Sequence, residues 1–275
     1  MTPRGLSAAR TPNIDELKQN GVYTMHAHAV LPTVSVPNWA SLLMGAGPEQ
    51  HGAKTNLWKP HPITRKNCAG PEGTFPTIYG VLKQQRPDLI RAMFANWNGV
   101  ERLVENTNPD KLQNCKNAES TVKAAVEYLK KNKPNLLFIY LDLVDETGHR
   151  YGFDSTEYTK SIEKADKLIG KILDSLRKAK MMDSAAILVT ADHGGKGKKH
   201  GGSSREETEI PWILSGPGMI HGKELTGEVN IYDTAPTIAH IFGLTTPACW
   251  KGVPITEAFK MSVEESAETQ TQREH

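Results

Sequence analysis

At 275 residues, the chain is long enough for one large domain or two ordinary ones, with a substantial buried core in either case. Its 33 basic and 31 acidic residues nearly cancel, which removes the electrostatic motive for a nucleic-acid polymer or an anionic membrane as partner. No apolar run reaches the roughly 18–20 residues that cross a bilayer, so no membrane span is expected, and the opening "MTPRGLSAARTPN" lacks the apolar core of a secretory signal.

In chain order, the first informative stretch is "LPTVSVPNWASLLMGAGPEQHG" (31–52). Pro37 marks the first turn of a short helix over 37–44. Ser35 lies just ahead of it, where a hydroxyl meets unpaired N–H groups and the positive end of the helix dipole. That position suits a phosphoryl oxyanion, and it equally suits a plain N-cap serine. Thr33 is the competing hydroxyl. Segments 57–75 and 96–118 are rich in Pro, Gly and Asn with weak periodicity; they either cover a pocket or run as surface loops. Trp58, Tyr79 and Trp97 could stack on a nucleobase or belong to the core.

Val122, Val126 and Leu129 line one face of a helix over about 119–131, which ends before Pro134. The apolar run "NLLFIYLDLV" (135–144) then reads as a strand buried on both faces. "DETGH" follows, with Asp145 and His149 four residues apart. They either converge on one ion across a turn or sit exposed on a loop. Asp154 to Glu157 resembles a capping box, opening a long helix over 156–179 in which Tyr158, Ile162, Ala165, Ile169, Ile172 and Leu176 share a face.

"AAILVTAD" (185–192) and "IPWILSG" (210–216) repeat the buried-strand pattern. After the first of these come Asp192 and His193, with Gly194 and Gly195 to turn the chain, and then a Gly-Lys spacer leading to His200. Read alone, "ADHGGKGKKH" is either part of a metal site or a basic surface loop. Strands alternating with helices predict an α/β fold with a mostly parallel central sheet sandwiched by helices, and ligands at the carboxyl ends of its strands. No repeat or linker divides the chain, so one domain is expected over 1–260, followed by a disordered polar tail at 261–275. Cys68, Cys115 and Cys249 show no CxxC spacing. A disulfide framework is not expected, one pair (such as Cys68 with Cys115) stays open, and any metal must be held by His and carboxylates.

Taken in order, "SVPN" (35–38), "GAGPEQHG" (45–52), "DETGHRYG" (145–152), "ADHGG" (191–195) and "KHGG" (199–202) resemble the alkaline phosphatase superfamily. The branch they resemble is the type I phosphodiesterase/nucleotide pyrophosphatase family. "TPNIDELKQNGV" near the start and "YDTAPTIAHIFGL" near the end extend the likeness over about residues 11–258. The resemblance implies a metal-dependent hydrolase of phosphate esters, most naturally of diesters or pyrophosphates, with a small phosphorylated substrate such as a nucleotide. It implies one metal on Asp145, His149 and His200 and a second on Asp192 and His193. It also implies Ser35 as nucleophile and Asn56 against the phosphoryl oxygens. Zinc suits such nitrogen and oxygen ligands, with manganese or iron as substitutes. Members of the family are often exported.

One ligand of the resemblance is missing. The family's second metal takes a further Asp from a "DG" turn after an N-terminal strand, whereas here Arg4 precedes Gly5 and Asp15 falls within the following helix. The sheet is therefore expected to lack that strand, which leaves strand edges uncovered. Two readings follow: a two-metal enzyme, or a truncated or catalytically impaired member with one metal and a binding or structural role. A phosphomonoesterase or phosphonate hydrolase shares the same core, while a sulfatase is disfavoured because no "CxPSR" surrounds Ser35.

Overall fold

A computed structural model of the chain describes residues 1–63, 68, 70, 72–105 and 108–260. The 261–275 tail and parts of the 57–75 and 96–118 segments fall outside the described residues. The chain opens with α1 (Pro3–Ala8) and α2 (Pro12–Gln19), each with Pro in its first turn, where the missing N–H costs nothing. No side chain of its own caps α2. Its first-turn amides instead donate to the buried carboxylate of Asp166, from Asn13 N at 3.1 Å and Ile14 N at 2.8 Å, so an anion meets the positive end of that helix.

Strand β1 (Gly21–His28) leads to α3 (Ser35–Met44), α4 (Pro48–His51) and α5 (Ile78–Gln85). Then follow β2 (Arg91–Ala95), α6 (Asn98–Glu101), β3 (Lys111–Asn114), α7 (Ala118–Asn132), β4 (Leu136–Ile139), α8 (Leu143–Tyr151) and α9 (Thr156–Lys178). The chain continues through β5 (Ile187–Thr190), α10 (Arg205–Thr208), β6 (Glu209–Ser215), β7 (Lys223–Glu224) and α11 (Thr234–Ile241). The long helix lies where its apolar period places it, but its cap is Ser155, whose Oγ accepts from Tyr158 N at 3.1 Å, one residue after the expected Asp154. Helix α3 starts at Ser35, two residues earlier than expected, and "DETGH" is helical rather than a turn.

The strands form an α/β architecture in two sections, in order β3-β2-β4 and β5-β6-β1-β7. The first is wholly parallel, since α6 and α7 provide crossovers. In the second, β6 runs antiparallel to both β5 and β1, and only β7 is parallel to β1. The expectation of a mostly parallel sheet holds with one exception, since β6 alone is reversed among the described strands: the β5–β6 connection returns through a loop and the single turn of α10 rather than a crossover helix.

Helix layers close both faces. Tyr158, Ile162 and Leu173 of α9 pack with Ile187, Val189 and Ile213, while Leu168 and Ile172 of the same helix pack with Ile139, Ala118 and Val122. On the opposite face, Val36, Trp39 and Leu43 of α3 join Phe138, Leu188 and Trp212. Burial is uneven across the sheet: β2 is buried throughout and β6 almost throughout, yet every residue of β4 and β5 is only half-buried. The expectation of burial on both faces thus holds for β6 and fails for β4 and β5, each of which pairs along one edge only among the described residues. Cys68 pairs with Cys249, and Cys115 is free.

Candidate metal centre

All five expected metal ligands and Ser35 come together at the carboxyl ends of β4 and β5. Helix α8 presents Asp145 and His149 on one face, as the four-residue spacing requires, with Asp145 Oδ2 3.3 Å from His149 Nε2. The loop after β5 supplies Asp192 and His193, with Asp192 Oδ2 3.2 Å from His193 Nε2. His200 closes the group: its Nε2 lies 3.0 Å from His149 Nε2 and 3.7 Å from Asp145 Oδ1. The ligand atoms of Asp145, His193 and His200 fall within 4.8 Å of one another.

The protonation pattern explains why such a crowded cluster exists. Each of the three histidines donates Nδ1–H to a backbone carbonyl: His149 to Lys198 O at 3.0 Å, His193 to Gly194 O at 2.8 Å, and His200 to Thr33 O at 2.7 Å. A carbonyl can only accept, so each Nδ1 carries a proton, and in its neutral form each ring turns an Nε2 lone pair inward. Burial, and next to it repulsion by His193 whenever that ring is protonated, holds the His200 pKa below the ordinary imidazole value against the pull of Asp145. Asp145 Oδ1 is buried without a hydrogen-bond partner. Converging lone pairs and an orphaned carboxylate oxygen are mutually repulsive on their own and become favourable around a cation, so this donor set fits a metal of the zinc type.

The two candidate hydroxyls separate cleanly. Thr33 Oγ1 donates to Gly202 O at 2.7 Å and accepts from Gly201 N at 2.9 Å, so it braces the His200 loop. Ser35 Oγ, buried at the first turn of α3, instead lies 3.1 Å from the bare His193 Nε2 and donates to it. The cap position of α3 is Val34, so Ser35 is not the N-cap residue. Asn56 is exposed, and its Oδ1 accepts from Val36 N at 2.8 Å, which places it beside Ser35 but uses the amide that an oxyanion was expected to find free.

Gly194 has a tertiary reason to be glycine: a Cβ there would meet Glu206 O at 2.0 Å, where Gly194 N donates to Glu207 O at 2.9 Å. Among the aromatics, Tyr79 is core, its hydroxyl donating to Ala92 O at 2.9 Å. Trp97 packs on Tyr140, and Trp58 lies between His51 and His61.

Sequence reasoning missed three neighbours of the site. Arg102 reaches from the end of α6 to donate to Asn56 O. Asn96 donates to Asp142 at the start of α8. The amino group of Met1 donates to His193 O at 2.9 Å. No local motif marks any of them, because each contact spans 46 or more positions. Arg4, which stands where the family pattern has Asp, lies within α1 and pairs with exposed Asp154 at 3.3 Å.

Residues 1–201 match the type I phosphodiesterase / nucleotide pyrophosphatase family. The human ectonucleotide pyrophosphatase/phosphodiesterase family member 1 is 27% identical over 197 residues, covering 66% of this chain and 21% of that protein. Venom phosphodiesterase 2 of Crotalus adamanteus is 25% identical over 193 residues, covering 66% of this chain and 24% of the venom protein. The chain therefore spans less than a quarter of the length of these relatives. The fold is similar to murine ectonucleotide pyrophosphatase / phosphodiesterase 5, solved in complex with AMP, with a TM-score of 0.72 at 17% identity over 90% of this chain and 93% of that one. It is also similar to the alkaline phosphatase PafA, with a TM-score of 0.78 at 12% identity over 94% and 97% of the two chains. The chain is a member of the type I phosphodiesterase/nucleotide pyrophosphatase family, with an alkaline phosphatase-like fold.

Proposed function

We propose that this chain is a metal-dependent hydrolase of phosphate esters, with a nucleotide-type diester or pyrophosphate as substrate class. The observation that carries the reading is the inward convergence of three imidazole Nε2 atoms, each ring anchored through Nδ1 to a backbone carbonyl, and the orphaned Asp145 oxygen beside the Ser35 hydroxyl. Asp145, His149 and His200 would hold one zinc, and Asp192 with His193 would hold a second. Bound metal supplies positive charge against phosphoryl oxygens and lowers the pKa of an oxygen nucleophile.

The chain's own residues do the positioning. Contact with His193 fixes Ser35 Oγ at the edge of the ligand cluster, where it can attack phosphorus in line, expel the alcohol or phosphate leaving group opposite and form a covalent phosphoryl- or nucleotidyl-enzyme, which water then cleaves to release the phosphorylated product and restore the serine. Asn56 accepts the Val36 N–H through Oδ1, which leaves its Nδ2 group as the donor for a phosphoryl oxygen. The murine relative's complex with AMP supports a nucleotide-sized ligand.

The direct test is zinc-dependent release of nitrophenolate from bis(p-nitrophenyl) phosphate, with p-nitrophenyl phosphate and a phosphonate ester measured alongside. Diester turnover lost in Ser35→Ala supports the reading, and preference for the monoester or phosphonate redirects it within the same core. Absence of turnover on all three in a zinc-loaded chain overturns it. A second reading, one metal and a binding role, draws on the second ligand set, to which Asp192 and His193 alone are assigned among the described residues. Metal analysis separates them: two zinc ions per chain support the hydrolase, and one or fewer supports the binding role.

A further inference from the structure

Helix α10 is a single turn, yet it ties two ligand loops together. Gly194 N, directly after His193, donates to Glu207 O at 2.9 Å, and Gly195 N donates to Glu206 O at 2.8 Å. Gly202 N, just beyond His200, donates to Glu207 Oε1 at 2.8 Å. The main chain of Glu207 therefore holds the His193 loop while its side chain holds the His200 loop.

The ordinary role of such a glutamate is a capping box. Ser204 N and Ser204 Oγ do donate to Oε2, at 3.3 and 2.8 Å. A capping box asks nothing of Gly202, however, and the bond to that amide lies outside the helix. The glycines point the same way. A Cβ at Gly202 would meet Glu207 Oε2 at 2.6 Å, so a glycine there admits the carboxylate, as Gly194 admits the α10 backbone. Thr33 Oγ1 fastens Gly202 from its other side, donating to its carbonyl at 2.7 Å. Glu207 is itself buried and leads directly into β6, which is paired with both β5 and β1. Burial works against its charge, yet the Gly202 and Ser204 donors hold its carboxyl below the ordinary carboxylate range, so it accepts as a carboxylate at neutral pH.

We propose that Glu207 is a positioning residue of the metal centre, which sets where His200 stands relative to His193 and hence the spacing of the ions those rings would hold. The role rests on the metal-dependent reading above. Glu207 touches no ligand atom, and it acts through the amides that follow the two histidines, as outer partners orient the groups that bind a metal.

The test separates positioning from capping by zinc affinity, read by competition with a chromophoric chelator. Glu207→Ala strands every donor at the carboxylate and should weaken zinc binding by about tenfold or more. Glu207→Gln keeps an oxygen for the Gly202 amide, and Ser204→Ala breaks only the box, so both should lose stability in urea while zinc affinity stays at the native value. Gly202→Ala, whose Cβ displaces the carboxylate, should share the loss of Glu207→Ala and replaces it if that variant does not fold. In the zinc-free chain, amide exchange at 194, 195 and 202 should speed up in Glu207→Ala. Native zinc affinity in Glu207→Ala or Gly202→Ala, or an equal loss in Ser204→Ala, overturns the proposal and leaves the hydrolase reading standing. A native chain that binds no zinc removes both together.

Discussion

His51, His193 and His200 are each followed by glycine, and all three come from motifs of one family pattern, yet the protein uses the first differently from the other two. His51 is buried as deeply as His193, at 2% against 1% exposure, so burial does not separate them. The backbone partner does. Ala53 N donates to His51 Nδ1 at 3.0 Å, which puts the ring proton on Nε2, and that proton is donated to Ser41 Oγ at 3.0 Å. Every polar atom of the His51 ring is thereby spent inside the fold. In His149, His193 and His200 the partner is a carbonyl, the proton sits on Nδ1, and Nε2 is left as a donor atom toward an ion. A histidine is a ligand or a brace according to which backbone group meets its Nδ1.

That contrast can be broken experimentally. The largest effect is expected at Ser35→Ala, which should lower diester turnover by on the order of 10³ or more if Ser35 is the nucleophile. A steady-state assay at saturating zinc checks it, and a loss of less than tenfold would remove Ser35 from that role. Next, His200→Ala should weaken zinc binding by on the order of a hundredfold, comparable with or above the loss on removing an outer-shell partner. His51→Gln should leave zinc content unchanged. Competition with a chromophoric chelator reads both, and equal losses in the two variants would erase the distinction.

The third effect concerns stability. Burial pushes the His51 pKa down from 6.5 to about 4. The unfolded chain therefore takes up this proton first as pH falls. The stability that neutral His51 contributes is complete above pH 6.5 and declines toward pH 4, by about 3 kcal/mol. Urea unfolding at pH 7 and pH 4.5 should show this share of the decline in the native chain and not in His51→Gln. The smallest effect is expected at Arg4→Ala. Its pairing with Asp154 is exposed on both sides, and such pairs contribute little. Thermal unfolding and metal content should both stay at the native values, and a change in metal content would bring Arg4 into the site.

Much of this was legible in one dimension. The period of α9, the paired residues of α8 and the glycine after Asp192-His193 are local features, dictated by 3.6-residue geometry and by where a chain can turn. The order of the five motifs carried the family. Element edges were less legible: the start of α3, the cap of α9 and strands β1 and β2 depend on neighbours far away in sequence. The choice between Thr33 and Ser35 was illegible for the same reason, since it turns on which hydroxyl meets Gly202 and which meets His193.

By itself, then, the sequence determined the α/β class, the long amphipathic helix and the residue types from which a metal centre could be built, because these follow from local period and side-chain chemistry. Only the tertiary structure decided the tautomers of the histidines and the separation of His51 from the ligand cluster. The His149 and His200 rings meet carbonyls 49 and 167 positions away, and where the partner is close in sequence, as Gly194 is to His193 and Ala53 to His51, the folded backbone still decides whether a carbonyl or an N–H faces the ring.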